Sequence, residues 1–187
     1  MEHQTVVLDR DGTRRTLVRI AHEIVEKNAT YAGEAPLAIV GVHRRGAVLA
    51  ARLAVIVAEL AGAEVPLGSV DISFYRDDLG RRVVAPPAAP VVRATELDFP
   101  IDGRTIVIVD DVLYTGRTIR AALEALADLG RPRSVQLAVL VDRGGRELPI
   151  RADYVGKNVA ANPNQRVYVR LAEIDGIDAV IVGQGSK

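Results

Sequence analysis

Three long apolar runs constrain the fold more than any other feature: "PLAIVGV" (36–42), "TIVIV" (105–109) and "SVQLAVLV" (134–141). A strand with one wet face alternates apolar and polar residues, whereas a run this continuous is buried on both faces. The first two runs lead into helical patterns. "HRRG" precedes "AVLAARLAVIVAELAG", a long, mostly buried helix ended by Gly62. Thr115–Leu129 is the second, expected to turn Leu123, Leu126 and Leu129 inward and to close at Gly130 and Pro132. An earlier helix carries Leu17, Ile20, Ala21, Ile24 and Val25 on one stripe. Strands alternating with helices predict an α/β chain: a mostly parallel sheet covered on both faces, with its ligands at the carboxyl ends of the strands.

Other segments are less regular. "GSVDISFYRDDLGRRVV" (68–84) alternates around "DDLG" and predicts a projecting β-hairpin. Ala85–Val92 holds three prolines, which exclude a central strand and indicate an irregular loop. "RVYVRL" and "DAVIV" are two short late strands. The length of 187 residues fits one domain, 1–187, and 49% hydrophobic residues suffice for a real core.

The formal net charge of +0 gives no overall field to recruit nucleic acid or membrane, so any such binding needs a local patch. The absence of cysteine removes disulfides, thiolate catalysis and cysteine-ligated zinc. Ala47–Ala63 is interrupted by Arg52 and Glu59, and the first residues lack the apolar centre of a signal peptide. A cytoplasmic protein is expected.

The chemistry concentrates in "DDVLYTGRT" (110–118). Two carboxylates, Asp110 and Asp111, end an apolar strand where an open α/β sheet keeps its site. Thr115, Gly116, Arg117 and Thr118 open the next helix, where free N–H groups and the helix dipole favour an anion. Gly116 lets the backbone approach closely. Carboxylates accept from neutral hydroxyls, so a phosphate monoester with vicinal hydroxyls nearby satisfies both halves. A ribose 5-phosphate does so, and a divalent cation would ease the charge conflict. No Walker A and no G-x-G-x-x-G occurs, which disfavours nucleoside triphosphate hydrolysis and dinucleotide binding.

"VIVDDVLYTGRT" resembles the phosphoribosyl pyrophosphate signature of type I phosphoribosyltransferases. "RIAHEIVEKN", "DISFYRDDL" and "LGRPRSVQLAVLVDRGGRELPIRADYVGKNV" extend the likeness to the PyrR family, pyrimidine operon attenuation regulators with uracil phosphoribosyltransferase activity. The likeness lapses mainly around Ala85–Pro100 and at both termini. It implies the type I phosphoribosyltransferase-like fold, a projecting hairpin and a small hood. It also implies transfer of a 5-phosphoribosyl group to uracil, giving UMP and pyrophosphate, with Mg2+ entering through the donor substrate rather than on an assigned protein ligand set.

By this resemblance Asp110 and Asp111 are catalytic and hold the ribose hydroxyls. Val112, Leu113, Tyr114 and Thr115–Thr118 complete the nucleotide site. Arg44, Arg45 and Gly46 of "GVHRRG" match the pyrophosphate loop, Arg76 of "FYRDDL" reaches in from the hairpin beside Tyr75, and Arg143 of "VDRG" contacts uracil. The implied partners are phosphoribosyl pyrophosphate, uracil and UMP, a pyrimidine-operon leader mRNA, and further copies of the chain in a homodimer or higher oligomer.

The stretch from Arg131 to Lys157 holds six Lys or Arg against three Asp or Glu, a local excess suited to phosphate contacts. His22, Arg146, Arg151 and Lys157 match the family's RNA-facing surface. Departures from the family pattern fall mostly on that side. Arg44 stands in the loop where threonine is usual, Gly145 replaces a histidine, Val18 replaces a threonine, and Asn158–Gln165 is poorer in serine and threonine. A nucleobase phosphoribosyltransferase that has lost RNA binding is therefore the alternative reading.

Overall fold

The computed structural model describes residues 4–28, 36–73, 75 and 95–184. The apolar runs become β2 (Leu37–Val42), β4 (Thr105–Leu113) and β5 (Ser134–Asp142). With β3 (Leu67–Val70) and β6 (Tyr154–Asn158) they form a five-stranded sheet in the order β3-β2-β4-β5-β6, every pair parallel. Successive side chains serve opposite faces. Ile39, Val107, Val109, Ala138 and Leu140 pack under α1 (Arg10–Asn28) and α2 (Arg45–Ala61). Ala38, Val40, Ile106, Ile108 and Val139 pack with α3 (Arg117–Leu129).

A second sheet is antiparallel, in the order β1-β8-β7, from β1 (Thr5–Leu8), β7 (Gln165–Arg170) and β8 (Ala179–Gln184). Leu8, Val169, Leu171 and Val180 join it to the α1–α2 core, and the short helix α4 (Ala172–Asp175) links β7 to β8. This layer corresponds to the expected hood. Among the described residues no helix is long and apolar enough to cross a membrane.

Several expectations are corrected. β4 does not stop at Val109: its ladder with β5 continues through Asp110↔Val139 to Leu113↔Asp142, so both aspartates lie inside the strand. Apolarity ends at the charges, but the backbone pairing does not. Gly68–Val70 belong to β3 of the parallel sheet rather than to a hairpin; most of the remaining hairpin segment, Arg76 included, and the proline-rich loop lie outside the described residues.

α3 begins at Arg117, because Gly116 takes φ 94°, outside the helical range. Its buried face is Ile119, Ala121, Ala122, Ala125 and Leu126, whose small alanines let it lie close to the sheet. Leu126 points inward as expected, whereas Leu123 and Leu129 are 39% and 50% exposed.

α1 is anchored to the β6 edge. Arg19 Nη2 donates to the carbonyls of Val155 (3.0 Å) and Gly156 (2.6 Å), which blunts an otherwise open strand edge. At the helix end a buried network joins three elements: Tyr154 Oη donates to Gln136 Oε1 (2.7 Å), and the Gln136 and Asn28 amides bond each other at 3.1 Å. These bonds set the register between α1 and the β5–β6 edge, where the expected RNA-facing residues are carried.

Candidate active site

The carboxyl ends of β2, β4 and β5 converge on the residues singled out by the sequence. β2 ends at Val42, and its continuation, with a cis peptide between His43 and Arg44, enters α2 at Arg45. Gly46 decides how near this loop comes. A Cβ there would lie 2.4 Å from the Val109 carbonyl oxygen and 3.2 Å from Asp110 Cα. Only glycine permits that approach, so the loop rests on the β4 backbone at the aspartates. Gly41, within β2, likewise admits the start of α2, its Cβ position falling 2.4 Å from Ala47 Cα.

Asp110 is buried and Asp111 half-buried. Asp110 Oδ1 accepts the Asp111 N–H (2.9 Å), and Asp111 Oδ1 accepts the Val112 N–H (2.8 Å). Burial, then the neighbouring Asp111 carboxylate, hold Asp110 well above the usual carboxylate range. Burial also raises Asp111, opposed by the Val112 N–H and the charge of Arg45. Two carboxylates left this dry suit a ligand offering hydroxyl donors or a cation.

The turn after β4 carries the residues expected to cradle an anion. Gly116 is left-handed at the start of α3, and the Thr115 carbonyl is fixed by the N–H groups of Glu147 (3.0 Å) and Leu148 (3.1 Å). The Arg117 N–H donates to Thr115 Oγ1 (3.4 Å), and those of Thr118 and Ile119 precede the first intrahelical bond, Arg120 N–H to the Gly116 carbonyl (2.9 Å). Arg117 turns aside to Glu147 at 2.7 Å.

The loop after β5 closes the opposite wall. Arg143 lies with its guanidinium 4.1 Å from the Tyr114 ring centroid, and among the described residues its Nε is buried without a partner. Gly145, at φ 74°, packs edge-on to the same ring, where a Cβ would come within 2.5 Å of Tyr114 Cε2. An open cavity of about 700 Å3 adjoins this wall, lined by Asp142, Arg143, Gly144, Arg146, Asn158 and Asn162. Arg146 organises the loop: it donates to the Ile150 carbonyl (2.9 Å), the Tyr114 carbonyl (2.8 Å) and the Asp142 carboxylate.

The structure therefore gathers Arg44, Arg45, Gly46, Asp110–Thr118 and Arg143 at one end of the parallel sheet. Tyr75 does not join them, since its hydroxyl donates to Asp128 Oδ2 (2.7 Å) near the far end of α3. Of the RNA candidates, His22, Arg151 and Lys157 are exposed on α1, before β6 and on β6, whereas the Arg146 guanidinium is engaged within its own loop.

Sequence reasoning missed Asp175, whose carboxylate receives Arg45 Nη2 at 2.9 and 3.1 Å. The only trace in the sequence is Arg45 and Arg52, two turns apart on one helix face, against the acids of "EIDGID". Nothing in one sequence pairs segments 130 residues apart.

Among the described residues no group of three or more acidic or histidine side chains forms a metal site. The adjacent Asp110 and Asp111 oxygens are nevertheless hard donors of the kind that suit Mg2+ alongside the oxygens of a phosphorylated ligand.

Comparisons with known proteins agree with this geometry. The family model described as "Phosphoribosyl transferase domain" matches residues 13–173. The "Bifunctional protein PyrR" of Roseiflexus sp. (strain RS-1) is 57% identical over 177 residues, covering 94% of this chain and 93% of that protein. That of Chloroflexus aurantiacus is 53% identical over 186 residues, covering 100% and 98%. Among solved structures, the hypoxanthine phosphoribosyltransferase of Trypanosoma cruzi superimposes with a TM-score of 0.72 at 20% identity, over 97% of both chains, which is a likeness of fold. The chain belongs to the phosphoribosyltransferase family and, within it, to the bifunctional PyrR proteins.

Proposed function

We propose that the chain transfers the 5-phosphoribosyl group of phosphoribosyl pyrophosphate to uracil, and also binds a pyrimidine-operon leader mRNA in response to UMP. The carrying observation is the seating of Gly46 on the β4 backbone at Asp110. It brings a basic loop, two dry carboxylates and an anion cradle within reach of one ligand having a diphosphate, two hydroxyls and a phosphate.

In this reading the N–H groups and hydroxyls of Thr115–Thr118 hold the 5-phosphate. Asp110 and Asp111 accept the ribose hydroxyls, and their charge favours the oxocarbenium-like carbon that develops as pyrophosphate leaves. Arg44, Arg45 and the backbone at Gly46 receive the leaving group, for which several charged donors act together. Phosphoribosyltransferases generally use Mg2+ with this donor; the Asp110 and Asp111 oxygens would help to hold it beside the donor's own oxygens, where it would offset part of the departing charge. Arg143, stacked on Tyr114, presents donors to a carbonyl oxygen of uracil. Fixing donor and acceptor in line supplies the rest of the acceleration.

For RNA, His22, Arg151 and Lys157 offer cationic and hydrogen-bonding groups, while Arg146 shapes the neighbouring loop after β5. The bifunctional designation of the relatives supports two activities over a transferase alone. The transfer is tested by Mg2+-dependent release of pyrophosphate from phosphoribosyl pyrophosphate with uracil as acceptor. Filter binding tests the second activity: tighter retention of a leader hairpin with UMP supports it, and retention equal to that of random RNA rejects it.

A further inference from the structure

We infer that Asp175, on the short helix of the antiparallel layer, is a positioning residue that holds Arg45 ready for the leaving pyrophosphate; this rests on the reading of Arg44–Gly46 as the pyrophosphate loop. Arg45 bonds Asp175 through one nitrogen, Nη2, at 2.9 and 3.1 Å. Among the described residues its Nε is buried without a partner. Its charge also acts on Asp111, opposing the upward push of burial on that carboxyl.

Asp175 is itself held in place. Its Oδ2 accepts the Leu171 N–H (3.0 Å), its own N–H donates to the Leu171 carbonyl (2.7 Å), and left-handed Gly176 ends the turn. The anchor therefore cannot follow Arg45 if the side chain swings.

Arg52, two turns along the same helix, provides the contrast. Its three nitrogens make four hydrogen bonds to Glu173 and Asp178, at 2.5–3.1 Å. That guanidinium has four of its five N–H donors engaged and serves to fasten α2 to the α4 region. Among the described residues Arg45 is anchored through Nη2 alone. An arginine held this way has already given up rotamer freedom before the anion arrives, yet retains donors for it. Asp175 thus preorganises the loop, although it touches neither substrate.

The test is steady-state kinetics on the whole chain with Asp175→Asn, Asp175→Glu, Arg45→Ala and Glu173→Gln, each also melted. Asp175→Asn is expected to raise KM for phosphoribosyl pyrophosphate roughly tenfold, with a parallel rise in the inhibition constant of added pyrophosphate. KM for uracil should stay within about twofold. Asp175→Glu should restore most of the loss, and Arg45→Ala combined with Asp175→Asn should be no worse than Arg45→Ala alone. Glu173→Gln should lower Tm and leave both KM values unchanged, separating positioning from simple fastening. An Asp175→Asn enzyme with an unchanged or lowered donor KM, beside an impaired Arg45→Ala, overturns the role of Asp175 and spares the loop assignment. An unimpaired Arg45→Ala overturns both.

Discussion

Gly46 and Val109 are in backbone contact: the position a Gly46 Cβ would occupy lies 2.4 Å from the Val109 carbonyl oxygen. This contact, between the start of α2 and the centre of β4, fixes the distance from the basic loop to the aspartates. Gly46→Ala cannot be absorbed by rotating a side chain, because the obstacle is backbone. The loop must move outward, and a displacement near 1 Å at a reacting centre costs on the order of 100-fold in rate. Initial rates should show a fall of that order in kcat/KM, and melting a loss of a few degrees.

Asp110→Asn should separate stability from activity. Burial and the adjacent Asp111 carboxylate raise the folded pKa of Asp110 above its unfolded value. The folded chain therefore holds its proton more tightly, and stability falls as pH rises from the ordinary carboxylate range through the raised value. Asparagine removes the ionisation while its Oδ1 still accepts the Asp111 N–H. The ligand-free variant is expected to melt a few degrees higher at neutral pH, at roughly 2–4 °C per kcal/mol for a chain this size, and to lose less stability than the parent between acidic and neutral pH. Its kcat/KM should drop at least about 100-fold. Calorimetric scans across pH, with rates on the same samples, check both halves.

The Tyr114–Arg143 stack predicts a specific effect on the acceptor. Arg143→Ala should raise KM for uracil about tenfold, the scale of one charged hydrogen bond, with a much smaller effect on the donor. Gly145→Ala should move in the same direction, because its Cβ meets the Tyr114 ring and its backbone sits at φ 74°. Separate KM measurements for the two substrates decide the point.

RNA binding, if carried by the exposed α1–β6 side, should respond to residues outside the transferase site. Arg151→Gln should lower affinity and reduce the slope of log K against log salt by about 0.7–0.9. His22→Ala should lower affinity with little change in slope. Both should leave kcat for UMP formation within about twofold.

Much of this architecture is legible in the sequence because fully buried parallel strands have a distinct signature. β2, β4 and β5 are apolar through most of their length, and Gly62 ends α2 as a left-handed cap. β6 escaped notice because "YVGKN" is short and half exposed, and it holds its place through Arg19 and through Gly156, where a Cβ would strike the Leu140 carbonyl at 2.3 Å. The inward face of α3 was misjudged at Leu123 and Leu129, since alanines rather than leucines set its approach to the sheet. The Asp110–Thr118 candidates could be picked out together because they are contiguous. The Arg45–Asp175 pair could not, because it joins segments that only the fold brings together.

The most direct test of the proposed transferase is a side-by-side assay of uracil, cytosine, hypoxanthine and guanine as acceptors, with phosphoribosyl pyrophosphate and Mg2+. The account predicts UMP and pyrophosphate in equal amounts from uracil, no comparable rate with the other bases, and no product when Mg2+ is chelated. Turnover of another base with none of uracil would contradict it.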